Sequence, residues 1–402
     1  MQTLLIHFQI SQPRRLRNYR FFDIQRSHNY FDEYQNRYLM NRLAERCYLP
    51  ANQVLLALIK QLGNKVAFCF TISGSTLKMW EEYCPQVILS FQELLSTGRV
   101  EMTGGTYTHS LASLHSKESF VEQIELQEAL LQRLFAIKPT TFANTEYLYS
   151  DEIGEWIAEK EYKTVLSEGA RHILGWKNPG FLYCNPYQTD LNLLLRHYAL
   201  CDDITYRFCD SSWDQYPLTA EKFLTFAEVA GKDAPLLNLF FDYETFGEYH
   251  TSESGIFDFL QAFISQFIHK DEKQMLMPSE IHSLKLGAST LHVPWAVSTS
   301  GDEKDTSEWL GNDLQQEAFR QLFKIESAVN NANLSEAKEA WLELQDAAHF
   351  NYMGNQWINQ SSVKRNFDVY TSPYQAFINF MNVLADVKLS LTHITDRTHN
   401  KH

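Results

Sequence analysis

Two acidic residues stand where acid–base chemistry would be placed. Asp242 directly follows Leu236–Phe241, a run apolar on both faces, and opens the segment Asp242-Tyr-Glu-Thr-Phe-Gly-Glu248. Glu146 lies in Asn144-Thr-Glu-Tyr147, between a short strand-like run at Thr141–Phe142 and a helix start at Ser150. Both positions are strand-to-helix junctions, and in βα barrels the C-terminal strand ends carry the reacting groups. Two carboxyl groups facing each other across a barrel mouth can cleave a glycosidic bond, one as acid and the other as nucleophile or base. Position alone does not single out this pair, because the chain holds 49 acidic residues and most acids are surface or capping groups.

Other chemistries find no foothold. The 14 histidines form no HExxH or HxH pattern, and His109 and His115 are isolated loop candidates. There is no GxSxG elbow, Walker A loop or GxGxxG turn. No EF-hand-like spacing suggests a calcium site. The expectation is therefore no metal and no cofactor.

The elements that must hold the two acids are legible as an alternation. Strand candidates are Thr3–Ile10, Lys65–Ile72, Val100–Thr103, Thr141–Phe142, Thr164–Leu166 and Leu236–Phe241; helical stretches are Ala51–Leu62, Thr76–Thr97, Ser116–Ala136 and Ser150–Lys160. Phe120, Ile124, Leu126, Ala129 and Leu130 recur at the spacing of a helix packed on one face. Alternating strands and helices argue for a parallel α/β sheet, as a barrel or doubly wound. From Ser307 the pattern changes to helices alone, at Ser307–Asn330, Leu334–Asp346 and Ser372–Leu391, the last opened by Ser372-Pro373 as N-cap and first turn. The polar stretch Ser298–Thr306 is the expected boundary between a βα domain over residues 1–297 and a helical domain over 298–402.

With 35 basic and 49 acidic residues the net charge is −14, which argues against nucleic acid or an anionic membrane as partner. Aromatic residues at 14% supply a large core or stacking platforms for sugar rings. No apolar run reaches the ~18 residues of a membrane span. The first ten residues read as a core strand with no basic, cleavable leader. Six cysteines without a CxxC pair fit a reducing cytoplasm, in which the sequons at Asn333 and Asn359 carry no meaning. His393 and His399 fall in a polar tail.

Five motif regions, in order, make the chain resemble family 57 glycoside hydrolases, the α-glucan-active group of amylases and 4-α-glucanotransferases, and its α-amylase branch in particular. They are Phe8-Gln-Ile-Ser-Gln-Pro13; Gly98-Arg-Val-Glu-Met-Thr-Gly-Gly105 with Tyr107-Thr-His109; Phe142-Ala-Asn-Thr-Glu146; Asp242-Tyr-Glu-Thr-Phe-Gly-Glu248; and Glu308-Trp-Leu-Gly-Asn-Asp-Leu-Gln315. The resemblance implies an incomplete (β/α)7 barrel followed by an α-helical C-terminal domain that closes the site, and a mechanism retaining anomeric configuration. It implies Glu146 as nucleophile and Asp242 as acid/base, with Asp242 kept protonated until attack by its apolar strand end and a neighbouring negative charge. Ser11, Gln12, Glu101, His109, Asp203, Trp309, Asn312, Asp313 and Gln315 are the expected substrate contacts. Asp202, Asp203 and Arg207 can equally form structural ion pairs, Trp309 can be a core residue, and Asn312, Asp313 and Gln315 can form a solvated helix start. His349 reads as a helix-packing histidine, and Trp176 and Tyr183 flank a loop that could form an outer subsite.

Two departures from the family pattern matter. Ser11 replaces the usual first-motif histidine, and His7 cannot substitute because four strand residues separate the two by about 13 Å. The fourth motif ends Glu248-Tyr-His250 where the amylase branch more often has Glu-His-Gln. Three readings remain open at this point: an α-1,4-glucan hydrolase or transglycosylase; an amylase-like glucan-binding protein with weak or no catalysis; and a metal-dependent deacetylase or mannosidase on a similar barrel, which requires a His/Asp cluster the sequence lacks.

Overall fold

Runs that are apolar on both faces fold as strands that pack on both faces. The computed structural model describes residues 2–270, 273–332, 334–354 and 370–399, with side chains to residue 392. Asn333, Asn359 and the side chains of His393 and His399 thus lie outside the described residues. The strands are β1 (Thr3–Ile10), β2 (Phe68–Ile72), β3 (Val100–Met102), β4 (Thr141–Ala143), β5 (Thr164–Glu168), β6 (Tyr183–Cys184), β7 (Asn192–Arg196), β8 (Leu236–Asp242), β9 (Gln274–Met275) and β10 (Ser289–Thr290).

β1 lies parallel to β2, with His7 opposite Cys69 and Gln9 opposite Thr71. On its other side it lies parallel to β8, with His7 opposite Phe240 and Gln9 opposite Asp242. β3 extends this sheet from β2, and β10-β6-β7-β5-β4 form a second sheet in which only β6 and β7 are antiparallel. The two sheets join twice. Gly104, just past β3, bridges to Phe142 of β4. Between β7 and β8 the Asn238 Nδ2 donates to the Leu195 carbonyl (3.0 Å), and the His197 N–H donates to the Asn238 carbonyl (2.9 Å). The circuit β8-β1-β2-β3-β4-β5-β7 is an incomplete (β/α)7 barrel, its β7–β8 seam held by scattered hydrogen bonds instead of a ladder.

The period of two along each strand sorts side chains. Leu4, Ile6, Phe8 and Ile10 point outward onto the helices Leu49–Leu62, Gly74–Tyr83 and Pro85–Ser96. Leu5, Cys69, Ala143, Leu166, Leu194, Leu236 and Phe240 fill the interior, where they meet Ile281 from the helical turn Pro278–Leu284. That turn follows β9, which pairs with the first residues of β1, so the interior is stoppered at the N-terminal strand ends. The C-terminal ends are left for chemistry.

The stretch Thr76–Thr97 is two helices, Gly74–Tyr83 and Pro85–Ser96, because Pro85 cannot donate into a continuing helix and Cys84 leaves helical geometry at φ −148°. After β10 the described chain is helical, at Ser307–Leu310, Asp313–Lys324, Glu326–Asn331, Ser335–Glu343, Ala347–Asn351 and Pro373–His399. These helices pack on the second sheet through Trp309, Trp341, Phe350 and Phe380.

Candidate active site

Glu146 is held in an unusual backbone turn. β4 ends at Ala143, and the Asn144 side chain accepts the Thr145 N–H (2.9 Å) while donating to Ser113 Oγ and the Leu148 carbonyl (both 3.1 Å). Glu146 and Tyr147 then adopt left-handed geometry in succession, at φ 47° and 54°. A non-glycine residue there costs on the order of 1–2 kcal/mol. Neighbours on every side oppose that cost. The Thr299 N–H donates to the Glu146 carbonyl (2.9 Å), Gln9 Nε2 donates to the Asn144 carbonyl (2.9 Å), and Thr145 Oγ1 donates to the Ser110 carbonyl (2.8 Å). Tyr147 stacks on Phe240, with centroids 5.2 Å apart. Its hydroxyl lies 2.7 Å from His7 Nδ1, while His7 Nε2 lies 2.8 Å from Thr71 Oγ1. Burial pushes His7 down to about 3, so it sits neutral beneath the site, one ring nitrogen donating and the other accepting.

The Glu146 carboxylate faces two partners. Thr299 Oγ1 donates to Oε2 at 2.9 Å, and His109 Nε2 lies 3.5 Å from Oε1. Burial of His109 favours its neutral form. The hydrogen bond to Glu146 and the negative charges of Glu146, Asp346 and Asp242 together outweigh that, so its pKa stands above the ordinary 6.5. The stronger hold of His109 on its proton and the Thr299 hydroxyl donor both go with negative charge on Glu146.

Asp242 ends β8, half-buried and facing the same interior side as Gln9. Its charge and that of Glu146 both raise the pKa of His109 and of Tyr249, so the two carboxyl groups share neighbours. Gln9 lies between them, its Nε2 on the Asn144 carbonyl and its backbone opposite Asp242. Two residues on, Glu244 accepts from Tyr48 (2.7 Å) and from Gln12 Nε2 (3.1 Å), and Gln12 accepts from Arg15 (2.9 Å).

The helical region adds Asp346. The Ala347 N–H donates to the His109 carbonyl (3.1 Å), and Asp346 caps the following helix by accepting the Ala348 N–H (2.8 Å). Its carboxyl is pushed up to about 7 by burial and by the charge of Glu146, against the opposing pull of His109, the Ala348 N–H and Arg15. Such a group keeps its proton in the fold at pH values where the unfolded chain has released it. Its stabilisation is complete below the ordinary carboxyl range and is lost as pH rises through about 7. Asp346→Asn should therefore gain thermal stability relative to the parent between pH 5 and pH 8. A melting-temperature difference that is flat across that range would show the carboxyl already ionised in the fold.

Glu146, Asp242, His109 and, through Glu244, Gln12 come together; the other expected contacts do not. Trp309 is fully buried in the core between helices and second sheet and offers no ring face to a sugar. Asn312 and Gln315 form a reciprocal capping box for the helix Asp313–Lys324, and Gln315 Nε2 donates to the Glu308 and Phe350 carbonyls (2.6 and 3.0 Å). Asp313 is exposed on the first turn of that helix. These three residues serve the helix start. Asp203 pairs with Arg207 four residues on along the same helix, and Asp202 instead pairs with Arg196 (2.9 Å). Glu101 accepts from Thr141 (2.6 Å) and from the Ser279 backbone and hydroxyl (3.0 and 2.7 Å), which fastens the stopper turn at the closed end. Ser11 lies beside Ser73, their oxygens 3.4 Å apart. His250 donates to the Ile204 and Thr205 carbonyls (2.9 and 3.0 Å), away from the acids, and His349 is buried against Phe380. Trp176 is exposed and Tyr183 is in the core of the second sheet.

Gln9, Thr299 and Asp346 escaped the sequence reading. Thr299 lies in the polar stretch read as a boundary, and Asp346 in a helix-turn segment; neither carries a local signal. Among the described residues, no group of three or more His, Cys, Asp or Glu side chains is arranged to hold a metal ion, and no helix is long and apolar enough to cross a membrane.

Comparison with known proteins gives the lineage. A Methanocaldococcus jannaschii protein named "Putative alpha-amylase" is 32% identical over 399 residues, covering 95% of this chain and 83% of its own. The fold is similar to that of a 4-alpha-glucanotransferase from Thermococcus litoralis (TM-score 0.65, 14% identity), over 87% of this chain and 56% of that one, so this chain spans little more than half its length. It is also similar to a branching enzyme from Thermococcus kodakaraensis (TM-score 0.68, 12% identity), over 91% and 88% of the two chains. The sequence profile of glycosyl hydrolase family 57 matches residues 5–294, which with the M. jannaschii relative places this chain in glycosyl hydrolase family 57.

Proposed function

We propose that the protein is a retaining glycosidase or transglycosylase acting on α-1,4-linked glucans, with Glu146 as nucleophile and Asp242 as acid/base. The observation that carries the reading is the strained turn aiming Glu146 between Thr299 and His109, with Asp242 bearing on the same histidine. The amylase and glucanotransferase names among its relatives supply the substrate class.

In the first step Glu146 attacks the anomeric carbon, the glycosidic C–O bond breaks, and Asp242 gives its proton to the departing sugar oxygen. His109 and Thr299 hold Glu146 ionised and oriented. In the second step Asp242, now a carboxylate, takes a proton from water or an acceptor sugar hydroxyl. That oxygen attacks the same carbon and releases Glu146. Water gives hydrolysis and a sugar gives transfer. All six cysteines are unpaired, five of them buried, which supports a reducing compartment such as the cytoplasm.

Incubation with maltoheptaose followed by chromatography of the products tests the reading. Shorter products are expected, with longer ones as well if sugars compete with water. Ser11 is the feature that favours the alternative, a glucan-binding relative with lost chemistry; intact maltoheptaose with retained binding would select it.

A further inference from the structure

A second cavity lies outside the catalytic mouth, between the loop Arg15–Phe21, the helix Glu33–Leu43 and the helix Pro373–His399. Its volume of about 950 Å³ is at the upper end of what small-ligand sites enclose. Two tyrosines that line it from different helices, Tyr38 and Tyr374, are 54% and 69% exposed, and Phe21 beside them is 70% exposed; the Arg42 guanidinium lies 6.0 Å over the Tyr38 ring. Aromatic side chains gathered at a concave surface offer flat apolar faces to a ligand. The rest of the lining mixes apolar side chains (Leu16, Leu39, Ile378), charged ones (Asp32 and three arginines) and amides. Gln375 Oε1 accepts from Thr371 and Asn382 Nδ2 donates to the Tyr19 carbonyl, which leaves the Gln375 amide N–H groups and the Asn382 amide oxygen to meet sugar hydroxyls beside Gln35.

The arginines of the cavity are already engaged, which makes it a poor anion trap. Arg20 pairs with Asp23 at 3.9 Å, and Arg42 with Glu248 at 2.6 Å. Arg15, buried at the floor, donates to Gln12. Two of these bonds lead directly to the catalytic loop. Gln12 holds Glu244 and Arg42 holds Glu248, so the cavity wall supports the segment Asp242–Glu248 from behind through one layer of side chains.

We infer that this groove is an accessory α-glucan site, distinct from the catalytic carboxylates, in which successive glucose rings stack on Tyr38 and Tyr374; the ligand class rests on the function proposed above. A long glucan would be anchored there while another part of it reaches the catalytic mouth, and short oligosaccharides would not need it.

Both tyrosines are exposed, so Tyr38→Ala/Tyr374→Ala should fold as the parent does. Titration calorimetry with maltoheptaose is expected to show two binding sites for the parent and one for the double variant. KM for soluble starch should rise about 10-fold in the variant, while turnover of maltotriose stays unchanged. A parent that turns nothing over but loses one maltoheptaose site on double substitution would uphold the groove and overturn the proposed catalysis. Identical stoichiometry, affinity and starch KM in the two proteins would overturn the groove. So would a maltotriose rate that falls as far as the starch rate.

Discussion

Glu146→Gln should leave a folded protein that binds maltoheptaose but cleaves it more slowly by a factor on the order of 10⁴ or more. The amide keeps the shape of the carboxylate and can still accept from Thr299, so the left-handed turn at 146 and 147 need not relax. What it loses is the charge and lone pair that form the bond to the anomeric carbon. A second readout is independent of turnover. His109 is buried and owes its raised pKa to Glu146 first and then to Asp346 and Asp242. In the variant, desolvation is opposed by less negative charge, so the His109 titration followed by NMR should move to lower pH. A rate within 10-fold of the parent would remove Glu146 from the nucleophile role. A collapsed rate with an unmoved His109 would instead mean that the ion pair at 3.5 Å does not form in solution.

Asp242→Asn should cost roughly 10²–10⁴-fold on maltoheptaose, the range expected for removing a positioned general acid. The pattern matters more than the size. An aryl glycoside whose phenolate departs without help needs no proton in the first step, so its glycosyl-enzyme should form at close to the parent rate and then stall. Azide, which needs no general base, should restore turnover and give the glycosyl azide with retained configuration. With Glu146→Gln no glycosyl-enzyme can form, so any glycosyl azide from the activated substrate should arise by a single displacement and carry inverted configuration. If Asp242→Asn slows the activated and natural substrates equally, or if the Glu146 variant gives a glycosyl azide of retained configuration and the Asp242 variant one of inverted configuration, the two roles are wrongly assigned.

The parts of this molecule that could be read along the chain are those decided by near neighbours. β8 shows as a run apolar on both faces because a barrel strand must satisfy its interior and its helical jacket at once, whereas β1 is apolar throughout only on its helix-facing side, at Leu4, Ile6, Phe8 and Ile10. The helix after Glu146 announces itself through Ser150, whose side chain accepts the Ile153 N–H. Asp242 and Glu146 stand out as candidates through the short motifs of the family resemblance, since their strand-end positions alone do not separate them from the other acids of the chain. The strand β7 was missed because Asn192-Leu-Leu-Leu-Arg196 is a brief apolar run with no alternation to separate it from a helix turn.

Several residues expected as substrate contacts from their place in a motif are engaged in local structure instead of facing the two acids. Asn312 and Gln315 are polar because a helix start needs its orphan N–H groups satisfied, and Trp309 is aromatic because two layers meet on it. What made the site a site is non-local. Thr299 reaches Glu146 across 153 positions, Gln9 reaches Asn144 across 135, and the segment bearing Asp346 folds back onto His109. Sequence patterning determined most of the longer strands and the helix caps, since each depends on residues within a turn or two, and it brought out the two acids only as members of short motifs. The charge state of His109, the strained posture of Glu146 and the company of Asp242 were decided only by tertiary structure, because desolvation and through-space charge depend on which distant segments close over the barrel mouth.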